Sequence, residues 1–211
     1  MQPQVYRSGP CRQSGQDGYA GLMQAQQQPL EGRSGAPGRR SRGAGRGTQT
    51  IALFVFLGAS ALVAALGGLA TANHVNGWYA TADKAPWSPP NWVFGPVWTV
   101  LYTAMAVAAW LVWRSPADGS RTPKKRAALT AYGVQLVLNL LWTPVFFALY
   151  PVLGTPALWI AFVIIVALAV AVAVTVVLFG PISRTAGLLM LPYLSWIVFA
   201  SSLNLWAALH N

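Results

Sequence analysis

The residues YPVLGTP, Tyr150 to Pro156, interrupt the longest charge-free run of the sequence. No Asp, Glu, Lys or Arg occurs between Arg126 and Arg184, and this run is too long for one membrane-spanning helix of about 20 residues. Two prolines and a glycine in the interruption favour a break over a continuous helix. The run therefore predicts two spans joined by a short turn.

The composition around this run is typical of a membrane protein. Of 211 residues, 55% are hydrophobic and 9% are charged, and the mean hydropathy is +0.47. We predict an all-α membrane domain over residues 49–211, with a disordered tail over residues 1–48, because the tail has too few apolar residues to offset its ordering entropy. The five predicted transmembrane helices cover about 51–72, 92–113, 127–149, 156–179 and 186–209.

The distribution of basic residues supports five spans. With the N-terminus inside, 13 of the 14 Lys and Arg residues fall on the inner side, and only Lys84, beside Asp83, falls outside. The sequence thus predicts an integral protein of a prokaryotic plasma membrane, with a cytoplasmic N-terminus and an external C-terminus. The tail arginines suit either a topogenic role or contact with an anionic partner, and we expect the lipid bilayer, with no nucleic acid, as that partner.

Several function classes lose their usual markers. Cys11 is the single cysteine, and no Cys/His cluster has metal-ligand spacing, so we expect no metal site. No ionisable side chain lies within a predicted span, which disfavours proton relays and charge-coupled ion transport. No hydrolytic or phosphoryl-transfer constellation occurs in the spans, so we assign no catalytic residues and expect no required cofactor.

Three spans instead carry aromatic and amide side chains along one helical face. The stripes are Trp98, Tyr102 and Met105 in the second span, Gln135, Asn139, Trp142 and Phe146 in the third, and Trp196, Ala200, Leu203 and Asn204 in the fifth. Counted from the outer ends, Trp98 lies about 9 Å, Trp142 about 10 Å and Trp196 about 18 Å deep. The stripes thus meet in the outer half and predict a flat, mostly apolar pocket.

The residues alone leave two interpretations open. Most of the ten tryptophans fall near span ends, where an interfacial belt explains them. Trp98, Trp142 and Trp196 are too deep for that belt, so they serve either core packing or ligand contact. Asn139 and Asn204 either hydrogen-bond neighbouring helices or face a ligand.

Two passages resemble the TspO/MBR family, the tryptophan-rich sensory proteins whose animal members are called translocator protein or peripheral benzodiazepine receptor. The first is WYATADKAPWSPPNWVFGPVWTVLYTAM, Trp78 to Met105, and the second is the pair LNLLWTPVFF, Leu138 to Phe147, and LPYLSWIVFASSLN, Leu191 to Asn204. The resemblance covers about residues 50–211. It implies a five-helix bundle, commonly a homodimer, that binds porphyrins such as protoporphyrin IX.

The resemblance also assigns residues to the pocket and to its cover. Together with the stripes it gives a ligand-binding set of Trp98, Tyr102, Asn139, Trp142, Phe146, Trp196, Ala200 and Leu203. The loop between the first two spans is expected to cover the pocket, with Trp78, Tyr79, Trp87, Pro89 and Pro90 as its residues. We therefore expect a membrane protein that binds tetrapyrroles and has a regulatory, sensory or transport role.

The sequence departs from the family pattern at two places. The loop Lys84-Ala85-Pro86-Trp87 has its first proline one position later than usual, and Pro86 stands where some bacterial members have an additional tryptophan linked to light-dependent porphyrin breakdown. The C-terminal LNLWAALHN lacks the Tyr-Arg pair of the proposed animal sterol motif. Porphyrin-degrading activity and transport of sterols or other small molecules are therefore the alternatives, and a binding protein is favoured over an enzyme.

Overall fold

The computed structural model describes residues 45–75, 77–116 and 121–211. The regular elements in these ranges are all helices: α1 Arg46–Val75, α2 Trp78–Thr81, α3 Asn91–Arg114, α4 Arg121–Phe147, α5 Tyr150–Leu153, α6 Thr155–Phe179 and α7 Arg184–His210. Five of them are long and apolar enough to cross a membrane, which confirms the predicted all-α class with five spans. The expected disordered tail falls largely outside the described residues and stays a prediction.

The break at Tyr150 to Pro156 is present. The one-turn helix α5 is capped by Gly154, whose φ of 67° lies in the left-handed region that glycine adopts without steric cost. Pro156 follows in the first turn of α6, where its missing N–H costs no helical hydrogen bond. The charge-free run therefore forms two long helices, α4 and α6.

Two helices begin earlier than hydropathy predicts. The first starts at Arg46 rather than Ile51, and the third long helix starts at Arg121 rather than Ala127. Helical hydrogen bonding continues through charged residues at a membrane surface, because water and headgroups solvate their side chains. Hydropathy identifies the residues that lie within the hydrocarbon layer, whereas these two helices extend beyond that layer.

The long helices pack in a closed order. Helix α1 packs against α3 and α4, α3 packs against α7, and α6 packs against both α4 and α7. The end of α6 approaches the start of α7 closely, because a Cβ added to Gly187 would lie only 3.1 Å from Gly180 Cα. Such glycine contacts let helices pack backbone to backbone in hydrocarbon.

The two ends of this helical unit differ in charge. At one end, Trp110 Nε1 donates to the Gln49 carbonyl at 2.8 Å, and Lys125 donates to the carbonyls of Trp113 and Ser115. The described basic residues at the helix termini of this end are Arg46, Arg114, Lys124, Lys125, Arg126 and Arg184. The opposite end carries Asp83 and Lys84. The helix order thus gathers the positive charge of the described residues at one end.

We expect the substitution Gly187→Leu to destabilise the protein by about 1–3 kcal/mol, because the new side chain would meet Gly180 backbone that cannot rotate away. Thermal unfolding in detergent measures this loss. The matched control is Gly133→Leu on exposed α4 surface, where an added Cβ meets nothing within 4 Å. An equal loss in both variants would show that the contact with Gly180 is unimportant.

Candidate functional site

A cavity of about 390 Å³ lies between α1, α3, α4 and α7, with α2 beside it. This volume is within the range of about 300–1,000 Å³ that is typical of small-molecule sites. The structure places at its lining all eight residues that the sequence predicts as ligand-binding: Trp98, Tyr102, Asn139, Trp142, Phe146, Trp196, Ala200 and Leu203. Their contact with a ligand stays a prediction.

Eight of the 21 residues that line the cavity are aromatic. Trp142 stacks on Phe146, with ring centroids 5.3 Å apart and planes 25° apart. On the facing side, the Trp98 and Tyr102 rings are 5.3 Å apart at 30°. Rings held in this way offer flat apolar surface at little entropic cost, because few torsions remain free.

Asn139 holds the floor of the cavity together. Its Oδ1 accepts a hydrogen bond of 2.6 Å from the Tyr102 hydroxyl, and its Nδ2 donates to the Tyr193 hydroxyl at 2.9 Å. Only 1% of Asn139 is exposed. The three side chains come from α4, α3 and α7, so one amide joins three helices. Of the two interpretations of Asn139, the structure shows helix-to-helix hydrogen bonding.

Asn204 has a similar role at the wall. Trp142 Nε1 donates to Asn204 Oδ1 at 3.0 Å, and Asn204 Nδ2 donates to the Leu158 carbonyl of α6 at 3.0 Å. The indole of Trp142 is therefore fixed in orientation. In contrast, the buried Nε1 of Trp196 has no hydrogen-bond partner among the described residues.

The predicted cover contacts two sides of the cavity rim. Trp78 donates to the Phe147 carbonyl at 2.8 Å and stacks on Tyr150 at 3.9 Å between centroids. Trp87 donates to Ser202 Oγ at 3.3 Å and packs edge-on against Trp206. The loop is thus attached to the C-terminal ends of both α4 and α7.

Within this cover, Tyr79 alone of the five predicted residues lines the cavity. Burial raises the pKa of its hydroxyl above the ordinary value, partly offset by a hydrogen bond with Ser88, so the group stays neutral at physiological pH. Lys84 lies over the Tyr79 ring, 4.8 Å from its centroid. Pro89 and Pro90 lead into α3, with Pro90 at the N-cap position.

The Asn211 side chain fastens the same loop to the end of α7. Its Oδ1 accepts from the Asp83 backbone N–H at 2.9 Å, and its Nδ2 donates to the Asp83 carbonyl at 3.2 Å. The Asn211 carbonyl accepts from Thr155 Oγ1 at 2.6 Å, so α6 is joined to the same point. Paired amide bonds of this kind fix the loop as strand pairing would.

The aromatic and amide stripes do not include the residues with which α1 lines the cavity. Its lining residues are small: Ala64, Gly67, Gly68, Thr71 and Ala72. Their spacing of three, four, seven and eight residues places them on one face, and that spacing is the signal that could have found them. This signal is weak, because small residues are common on every face of a membrane-spanning helix.

We expect Asn139→Leu to destabilise the protein by about 1–3 kcal/mol for each tyrosine hydroxyl left without a buried partner. Adding Tyr102→Phe and Tyr193→Phe to the same chain should restore part of the loss, because no orphaned hydroxyl then remains. Thermal unfolding of the single and triple variants measures both effects. A triple variant less stable than Asn139→Leu would contradict this role for the amide.

Comparisons with known proteins agree with this architecture. The TspO/MBR family model matches residues 54–209. The chain is 34% identical over 147 residues to "Translocator protein" of Bos taurus, covering 68% of this chain and 82% of that protein. It is 39% identical over 139 residues to "Tryptophan-rich protein TspO" of Archaeoglobus fulgidus, covering 65% and 82%, and 36% identical over 154 residues to "Tryptophan-rich sensory protein" of Cereibacter sphaeroides, covering 72% and 87%. The chain, with its five spans and aromatic cavity, belongs to the TspO/MBR family.

Proposed function

We propose that this protein binds a tetrapyrrole, such as protoporphyrin IX, in the aromatic cavity. The observation that carries the proposal is the convergence of Trp98, Trp142 and Trp196 on one cavity from three different helices. A tetrapyrrole is a flat, largely apolar ring system, and indole faces bind such rings through stacking and burial of apolar area, at ~25 cal/mol per Å².

The polar groups of the cavity suit the edge of such a ligand. The Asn139 amide and the Trp142 indole N–H already have partners in the bundle. The Asn91 side chain also lines the cavity and is exposed, so its amide is the group that would donate to a ligand oxygen. A propionate carboxylate supplies such an acceptor, and a hydrogen bond to a charged group contributes about 1.5–3 kcal/mol.

The proposed role is regulatory, sensory or transport, in a homodimer. Two relatives carry the names "Translocator protein" and "Tryptophan-rich sensory protein", and this role lies within what those names cover. The proposed orientation has the basic end in the cytoplasm and the cavity in the outer half of the plasma membrane. The position of the basic end opposite the cover supports it, because cytoplasmic segments carry an excess of Lys and Arg.

We expect Trp98→Ala combined with Trp196→Ala to weaken binding of protoporphyrin IX about 5- to 150-fold, since each lost stacking contact costs about 0.5–1.5 kcal/mol. Titration of the purified protein, followed by quenching of its tryptophan fluorescence, measures the dissociation constant. The unfolding midpoint is measured on the same samples, because Trp98 and Trp196 also pack against the hydrophobic core.

The matched control removes two tryptophans that do not line the cavity. Trp92 is 75% exposed at the start of α3, and Trp159 is 42% exposed on α6. The Trp92→Ala, Trp159→Ala double variant should retain the affinity of the unchanged chain. Equal dissociation constants for both double variants would overturn the cavity as the porphyrin site.

A further inference from the structure

The wall of the cavity between α1 and α3 differs from its other walls. The lining residues from α2, α4 and α7 are buried or half-buried. The exposed lining residues belong to α1 and α3: Gly68, Ala72, Asn91, Gly95 and Thr99. The mouth of the cavity therefore lies between these two helices.

Specific hydrogen bonds close three other sides of the cavity. Asn139 joins Tyr102 and Tyr193 at the floor. The Trp142 indole reaches Asn204 at the wall between α4 and α7. The cover is fastened through Trp78, Trp87 and Asn211 to the ends of α4 and α7. A ligand that used any of these sides would have to break buried or paired hydrogen bonds.

The mouth, in contrast, is free of filling side chains. A Cβ added to Gly68 or to Gly95 would meet no atom within 4 Å. Gly95 and Thr99 lie about 6 and 12 Å along α3 from Asn91. The opening therefore runs down the flank of the helices, at the depth of the bilayer, rather than across the membrane surface.

The surface around the mouth is apolar. On α1, Leu66 is 43% and Leu69 is 69% exposed, and on α3 Val100 is 66% exposed. In a membrane-spanning helix such exposed aliphatic side chains face lipid. The mouth therefore opens toward acyl chains.

We infer that the gap between α1 and α3 is a lateral portal through which the cavity takes its ligand from the bilayer. This inference rests on the proposed binding function and narrows its ligand class to membrane-dissolved amphiphiles, with an apolar ring system and a polar end. Water-soluble polar compounds are excluded from this route because they do not partition into hydrocarbon. The portal is defined by Gly68, Gly95 and Thr99.

Gly68→Phe is the direct test. It puts a ring into the portal where there is room for it, and it avoids Gly95, whose replacement would be strained because Pro96 follows. The matched control is Gly58→Phe, also exposed on α1 with nothing within 4 Å, but away from the cavity lining. Asn211→Ala, which loosens the cover, tests the competing route.

The protein is reconstituted in vesicles and mixed rapidly with protoporphyrin IX. Uptake of porphyrin by protein-free vesicles gives the partition phase, and the later saturable quenching of tryptophan gives entry into the cavity. Gly68→Phe should slow entry about tenfold, which corresponds to ~1.4 kcal/mol of added barrier, and should slow exit as well. A residue that only lined the cavity would change the exit rate and leave the entry rate as it is in the Gly58→Phe control.

The outcomes separate the two proposals. Absence of saturable quenching in the unchanged chain would overturn the binding function itself. Equal entry rates for Gly68→Phe and Gly58→Phe, or faster entry in Asn211→Ala, would overturn the portal and leave binding intact. A changed oligomeric state in Gly68→Phe with unchanged rates would also overturn it, by assigning this face to a second copy of the chain.

Discussion

The hydrogen bonds of the Asn139 side chain hold the cavity end of this protein in register. No water is available in hydrocarbon to compensate a lost bond, so a polar group there must find its partner within the protein. The two tyrosine hydroxyls bonded to this amide come from α3 and α7. A shift of either helix along its axis would orphan a buried hydroxyl, and the register that avoids this cost also brings Trp98, Trp142 and Trp196 to one cavity.

The helices divide into a closely packed support and a more exposed wall. Helix α6 lines no part of the cavity, but it packs along both α4 and α7 and receives the Asn204 amide at its Leu158 carbonyl. Helix α1 is mostly lipid-exposed and presents small residues to the cavity. Glycine has opposite roles in the two parts. Gly187 lies against the backbone of Gly180, whereas Gly68 faces open space.

The crowded segment from Trp78 to Trp98 serves two separate purposes. Trp78 and Trp87 use their indole N–H groups to attach the cover to the rim. Trp98, one helix turn or more below, belongs to the cavity wall. The same amino acid is suited to both tasks because an indole has a large apolar face and a single polar edge. The task of each tryptophan follows from its place: Trp78 and Trp87 belong to the cover, and Trp98 lies on α3 at the cavity.

The helices follow from the amino-acid sequence alone, because hydrocarbon allows only segments with internally satisfied backbones, and apolar length and charge position reveal them. The aromatic stripes follow from it as well, because a helix has a fixed period. Three further features emerge from the packing of the helices: α1 supplies the fourth wall, the Asn139 and Asn204 amides bond to neighbouring helices, and Asn211 fastens the cover. These features depend on which helices are neighbours and on their relative rotation, and the period of one helix contains no information about the position of another.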